Sequence, residues 1–171
     1  MCSRIILIGF RATGKTTVGK LLAKRLGYPF VDLDEYIERK LGKSIREVVE
    51  EGGWQAFRAE ERKAMREFAE KGDLVLSLGG GAVMHEAEME ALKEEALVVW
   101  LSAPVETIIE RLSRDPKTAT QRPSLTEKSL EEEVRELLSR REPLYARFAD
   151  LRISSEGLSP EEIVRKILEV L

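Results

Sequence analysis

Eight residues near the start of the chain, Gly9-Phe-Arg-Ala-Thr-Gly14-Lys15-Thr16, could do chemistry on a phosphate. Two glycines bracket four residues, and Lys and Thr follow at once, which is the spacing of a phosphate-binding loop. Glycines let backbone N–H groups wrap an anion, and a helix starting at the loop adds partial positive charge. Lys15 would reach the β- and γ-phosphates of a nucleotide, and Thr16 would offer its hydroxyl to Mg²⁺. The alternative is a glycine-rich turn with a surface lysine. An apolar strand before the motif and an amphipathic helix after it favour the phosphate loop. Ala12, Thr13, Gly14, Lys15, Thr16 and Thr17 are therefore the candidate ATP-binding residues.

Further groups lie along the chain. Asp32 and Asp34 leave a second apolar run with one residue between them. In an open α/β sheet the carboxyl ends of strands face the ligand crevice. One carboxylate can assist Mg²⁺, directly or through water, while the other accepts hydrogen bonds from a hydroxylated substrate. Equally, Asp34 can simply cap the next helix. Arg58, three positions before Glu61, suits a carboxylate, either on a ligand or in an ordinary helical ion pair. Gly79-Gly80-Gly81 at a strand end costs entropy and packs nothing, which suggests backbone in close contact with a ligand; a plain turn is the alternative. Arg122-Pro123 can close over phosphates and stabilise charge developing in transfer. Arg140 and Arg141, taken alone, read as a solvated helix face. His85 reads as a surface residue without a catalytic part, since phosphoryl transfer needs no imidazole. Trp54 and Phe57 fit helix packing, and Cys2 is incidental.

These groups need elements to position them, and the pattern supplies short apolar runs alternating with amphipathic helices, the mark of an α/β fold with a parallel sheet. Strands are expected at Ile5–Ile8, Pro29–Asp32, Leu74–Leu78, Leu97–Leu101 and Leu151–Ser154. Between them, helices are expected after the phosphate loop to Gly27, through Tyr36 and Leu41 to Gly42, and from about Trp54 to Lys71. Others follow at about 86–95 and after Ser102, where Val105, Ile108, Ile109 and Leu112 are buried. Two more start at Ser129 and Ser159. Ser44 and Glu47 make a capping box, and Pro143 is expected to kink its helix. Residues 113 to 128 have no periodicity, a length of loop that is usually functional, and about 113 to 126 of it read as a mobile lid.

The 171 residues suit a single domain, with apolar content enough for a core. A net charge of -3 gives no basic excess for nucleic acid or a membrane surface. One cysteine excludes a disulfide framework and a cysteine-rich metal site. The opening apolar run of four residues is too short for a membrane span, and no signal-peptide pattern follows it, so the cytoplasm is the expected address.

Taken in order, the motifs resemble those of the shikimate kinases, within the nucleoside-monophosphate-kinase-like P-loop group. Besides the loop itself, they are Phe30-Val-Asp32-Leu-Asp34, Phe57-Arg58-Ala-Glu60-Glu61, Gly79–Gly81, Arg122-Pro123 and Arg141-Glu-Pro-Leu-Tyr145. The match spans essentially the whole chain. It implies a three-layer fold with a five-stranded parallel sheet in the order 2-3-1-4-5, substrate-binding helices at about 33–61 and the lid at about 113–126. The implied reaction is ATP-dependent phosphorylation of the 3-hydroxyl of shikimate, in aromatic amino-acid biosynthesis.

By the same resemblance, Asp34 binds the substrate's hydroxyls and helps deprotonate the attacking one. Arg58 and Arg141 hold its carboxylate, beside the backbone of Gly79, Gly80 and Gly81. Thr16 and Asp32 serve Mg²⁺, with Ser77 behind them, and Lys15 and Arg122 stabilise the migrating phosphoryl group. Adenine lies between the lid base, near Arg114, and the loop before Ser159.

Two stretches depart from the commonest family pattern. Arg11-Ala12-Thr13 replaces a small glycine-containing stretch, and Ser124 stands where leucine is usual. Neither removes a catalytic group, and both can alter nucleotide affinity or lid closure. A gluconate-type sugar-acid kinase shares the size and fold, but not the set of Asp34, Arg58 and three glycines. A nucleoside monophosphate kinase needs a base subsite that has no signal here, and a silent P-loop homologue predicts loss of Lys15, Asp34, Arg58 or Arg122. A monomer is expected, since no apolar stripe is left over.

Overall fold

A computed structural model describes residues 3–114 and 129–171 of the chain. Cys2, Arg122 and the expected lid beyond Arg114 lie outside the described residues. Five strands are present: β1 (Arg4–Ile8), β2 (Phe30–Asp32), β3 (Leu74–Ser77), β4 (Ala96–Ser102) and β5 (Leu151–Ser154). They form one parallel sheet in the order β2-β3-β1-β4-β5, as the resemblance implied. The helices are α1 (Lys15–Leu26), α2 (Leu33–Leu41), α3 (Ile45–Ala69), α4 (Glu86–Lys93), α5 (Val105–Arg114), α6 (Leu130–Phe148) and α7 (Pro160–Leu168).

Successive strand side chains point to opposite faces, and a sheet covered on both sides needs apolar residues at every strand position. In β1, Ile5 and Leu7 enter a core with Val18 and Leu22 of α1 and Ile163 and Ile167 of α7. Ile6 and Ile8 enter the other core, with Ile37 of α2, Phe57 and Met65 of α3, and Val134 of α6. All five residues of β1 are buried. The phosphate loop thus springs from the central strand, held on both faces.

Several boundaries differ from expectation. β2 starts at Phe30, because its ladder with β3 begins with Phe30 opposite Val75. β3 ends at Ser77, while β4 extends one residue farther at each end. Ser102 does not cap α5. It ends β4, where its carbonyl accepts from Ser155 N–H at 2.7 Å, so pairing with the edge strand takes precedence over capping. In α5, Ile108 and Leu112 are buried, and Val105 and Ile109 sit at the margin of the core. Residues 113 and 114, expected in a loop, belong to α5.

The helix expected from Trp54 is the second half of α3, which begins at Ile45 behind the Ser44–Glu47 capping box. Its two halves meet at Gly53, whose φ of 75° and ψ of 176° break the helix. That left-handed φ is open to glycine at little cost, so the bend that turns Trp54 and Arg58 is written into one residue. Pro143 does not end its helix: α6 runs on past it to Phe148. The proline is exposed, so its missing N–H leaves no carbonyl stranded in the core.

Candidate active site

The phosphate loop runs from the end of β1 into α1, and packing explains its glycines. Gly9 has a φ of 144°, and a Cβ there would run into the carbonyl of Leu101 on β4. Thr13, buried, donates its hydroxyl to Phe10 O at 2.9 Å and closes the loop on itself. α1 has no side-chain cap and no acidic residue in its first turn, so its N-terminal dipole is left for an anion. Lys15 arches back over the loop and donates from Nζ to Gly9 O at 2.8 Å and Phe10 O at 2.7 Å. The ammonium is thereby held above the concavity where phosphates fit.

A cavity of about 510 Å³ opens on this loop. Its wall includes Arg11, Ala12, Gly14, Lys15, Thr16 and Thr17, then Asp32, Asp34 and Ser77, then Gly79 and Gly80. The predicted metal residues and most of the predicted nucleotide residues therefore share one space with Asp34, Gly79 and Gly80 of the acceptor set, whereas Thr13, Arg58, Gly81 and Arg141 are not in its wall. Arg114 is elsewhere: it is exposed at the end of α5 and pairs with Glu110 at 2.6 Å.

Capping falls on Asp32 instead of Asp34. Asp32 Oδ1 accepts from Glu35 N–H at 3.2 Å, while Asp34 sits in the first turn of α2 and lines the cavity. Burial, and then the charge of Asp34, push the Asp32 carboxyl above its ordinary value, against backbone hydrogen bonds that lower it. Two neighbouring carboxylates with a threonine and a serine hydroxyl make a hard oxygen donor set that suits Mg²⁺. Among the described residues no three His, Cys, Asp or Glu side chains converge as a cage. An ion brought in on ATP needs none, because it keeps waters and phosphate oxygens as ligands.

The triple glycine has a further use besides lining the cavity with Gly79 and Gly80. A Cβ on Gly81 would lie 2.6 Å from Arg58 Nη2, and one on Gly80 would lie 3.2 Å from Arg141 Nη1. The glycines are seats for two guanidinium groups. Arg58 comes from α3, stacked 5.4 Å from the ring centres of both Trp54 and Phe57. Arg141 comes from α6; it is 4% exposed and lies over the ring of Phe10 at 5.6 Å. Its neighbour Arg140 is exposed and pairs with Glu136, so one arginine of the pair is buried against Gly80 and the other faces solvent. The buried Tyr145 donates its hydroxyl to Gly80 O at 2.6 Å and fixes the middle peptide of the turn.

Arg58 makes the helical ion pair, donating from Nη1 to Glu61 Oε1 at 2.7 Å, and its guanidinium also packs against Gly81. Glu61 is fully buried. Burial alone would raise its pKa, but the hydrogen bond from His85 and the charge and hydrogen bond of Arg58 outweigh that and hold it below the ordinary value.

His85 corrects the expectation of a surface residue. It is 5% exposed, with Nε2 2.8 Å from Glu61 Oε1 and Nδ1 3.1 Å from Arg62 Nε. The 3₁₀ turn at Ala82–Met84 carries it inward. No local pattern links positions 61 and 85, so only the folded chain shows the pair. Arg111 was likewise missed: it donates from Nη1 to Ala12 O at 2.8 Å and ties α5 to the phosphate loop. Ala12 has a φ of 64°, and this bond secures its carbonyl.

The geometry agrees with what comparison with known proteins shows. The family model described as shikimate kinase matches residues 11–171. A shikimate kinase of Persephonella marina is 43% identical over 164 residues, covering 96% of both chains. Among solved structures, a shikimate kinase from Acinetobacter baumannii in complex with shikimate has a TM-score of 0.91 at 36% identity, covering 99% of this chain and 93% of that one. One from Aquifex aeolicus has a TM-score of 0.82, also at 36% identity, covering 97% and 94%.

Proposed function

The chain belongs to the shikimate kinase family and is an ATP-dependent kinase of shikimate; from that premise we propose how its residues share the work. The acceptor is the 3-hydroxyl of shikimate. The gluconate and nucleoside monophosphate alternatives give way to the family match.

Shikimate is a small polyol with one carboxylate. Arg58 and Arg141, seated on Gly81 and Gly80, receive that carboxylate, because two forked cations in a largely desolvated seat bind it in a fixed orientation. This pair of seats on consecutive glycines, of which Gly80 lies in the wall shared with the phosphate loop, is the observation that carries the reading. With one end of the ring clamped, the hydroxyls reach Asp34, which accepts a hydrogen bond from the attacking one and draws its proton. Backbone N–H groups of Ala12 to Thr17 cradle the ATP phosphates, and Lys15 follows the γ-phosphoryl group as charge shifts toward the leaving oxygen. Thr16 and Asp32, with Ser77 behind, would hold Mg²⁺, and the ion bound with ATP would supply positive charge to the phosphate oxygens. Arg122, outside the described residues, completes the nucleotide side. Catalysis is then alignment plus charge stabilisation for in-line attack.

We read the protein as a cytoplasmic monomer that binds neither nucleic acid nor membrane. Among the described residues, no helix is long and apolar enough to cross a membrane, and exposed large apolar side chains are confined to Met84, Val170 and Leu171.

The test is coupled ADP release with Mg²⁺-ATP, comparing shikimate, gluconate and nucleoside monophosphates. Turnover is expected with shikimate alone. In Arg58→Ala the KM for shikimate should rise about 10- to 100-fold, as loss of a charged hydrogen-bond partner predicts, with the KM for ATP nearly unchanged. An unchanged shikimate KM would remove Arg58 from the clamp.

A further inference from the structure

Arg58 carries a long, flexible side chain, and a guanidinium that binds a carboxylate well must be held before the ligand arrives. Its contact with Glu61 supplies one constraint, and Glu61 itself then needs to be fixed. Two hydrogen bonds of this buried carboxylate converge on the same oxygen. Arg58 Nη1 lies 2.7 Å from Oε1, and His85 Nε2 lies 2.8 Å from it. Oε2 is buried too, with no hydrogen-bond partner among the described residues.

The tautomer of His85 follows from its other neighbour. Arg62 Nε can only donate, so His85 Nδ1, 3.1 Å away, accepts, and the ring proton sits on Nε2, facing Glu61. A neutral N–H suits the place. It anchors the carboxylate without a second full charge competing with Arg58 for Oε1, so Glu61 stays paired with the cation that faces Gly81. The phosphoryl-transfer chemistry makes no use of His85, yet a buried histidine ends a three-member relay to the acceptor seat.

We infer that His85 is a positioning residue for acceptor binding: by donating from Nε2 to Glu61 it locks the carboxylate that aims Arg58 at the substrate's carboxylate. The inference rests on the reading of Arg58 as part of the carboxylate clamp.

Two amide substitutions separate this from a merely structural role. The amide of His85→Gln reaches the place of Nε2 and can still donate to Glu61. The amide of His85→Asn reaches only the place of Nδ1, so it keeps Arg62 and loses Glu61. Initial rates of ADP release, with shikimate and ATP varied separately, should show a shikimate KM raised about five- to tenfold in His85→Asn and within about twofold of wild type in His85→Gln. The KM for ATP, from the same preparation, should not move. In an Arg58→Ala background the difference between the two amides should disappear, because the relay then has nothing to aim.

Wild-type behaviour of His85→Asn, or equal rises in both amides, would overturn the inference, and so would shikimate and ATP constants rising together. A His85→Asn effect that persists undiminished on Arg58→Ala would also overturn it. Failure of Arg58→Ala itself to raise the shikimate KM is a separate result: it would overturn the clamp, and the inference with it.

Discussion

The two halves of the cavity are built by different means. The nucleotide side is one continuous stretch, residues 9–17, and its polar contacts are largely backbone: Lys15 Nζ on Gly9 O and Phe10 O, Thr13 Oγ1 on Phe10 O, Arg111 on Ala12 O. The acceptor side is assembled from side chains of three separate segments, Arg58 and Glu61 on α3, the turn from Gly79 to His85, and Arg141 and Tyr145 on α6. A loop of backbone donors suits a group common to every ATP-using enzyme. Side chains drawn from distant elements suit a particular acceptor, because each can be aimed separately. The nucleotide side should therefore fail through kcat when Lys15 is removed, and the acceptor side through KM when its aim is disturbed.

The largest expected effect tests the first half. In Lys15→Ala, kcat for shikimate phosphorylation should fall about 100- to 1,000-fold, as for removal of one charge-stabilising donor from a pre-organised site. The shikimate KM should change little. Because Lys15 also bonds Gly9 O and Phe10 O, the loop loses a brace, and ATP affinity should fall as well. A shikimate KM rising as much as kcat falls would mean that the two sides are not separable in this way.

The next effect falls on the acceptor side and leaves every charge in place. Gly81 has a φ of -95°, which any residue adopts, so Gly81→Ala strains no backbone. Its new Cβ would sit 2.6 Å from Arg58 Nη2 and 2.9 Å from the guanidinium carbon. That obstacle meets the far end of a flexible side chain, so the fold should survive and the guanidinium should swing away. The shikimate KM should rise about tenfold, roughly one charged hydrogen bond, while the melting temperature and the KM for ATP stay near wild type. An unchanged shikimate KM would show that the seat is not needed.

This division also explains what could be read from the sequence. The phosphate loop is contiguous, and its glycines and lysine stand at fixed spacings between an apolar strand and an amphipathic helix, so chemistry and fold class were both visible there. Strand order followed from resemblance to a known family, since periodicity tells which segments pair with the core and not which pair with one another. On the acceptor side the residues were visible as types, but their contacts were not. Gly79–Gly81 read as an approach for a ligand, and only the folded chain shows that two of the glycines also make room for Arg58 and Arg141. His85 read as surface because polarity is the default guide to exposure, and its partner Glu61 lies 24 positions away. Arg111 and Arg114 share one helix and one residue type, and only packing sends the first to the phosphate loop and leaves the second in solvent.

The smallest expected effect sharpens the comparison through pH. On the nucleotide side, Asp32 has its pKa raised from 3.8 by burial and then by the charge of Asp34, so the native state binds its proton more tightly than the unfolded chain does. Stability from this group is full below 3.8 and is lost as pH rises through the raised value. On the acceptor side, Glu61 runs the other way. Its pKa is held below 4.5, so its contribution is full above 4.5 and is lost as pH falls through the lowered value. Thermal melting without nucleotide separates the two. Asp32→Asn keeps a good helix cap, because asparagine and aspartate serve alike at that position. It should therefore melt slightly higher than wild type at neutral pH, where the crowded carboxylate is ionised. Glu61→Gln should melt lower at neutral pH and lose that deficit as pH falls toward and below the lowered pKa. Mg²⁺ should raise the melting temperature of wild type more than that of Asp32→Asn, since only the former holds the charge that the cation relieves. If Asp32→Asn melts lower than wild type at neutral pH, Asp32 stabilises the fold through its charge, and the two sides of the cavity do not oppose each other in pH.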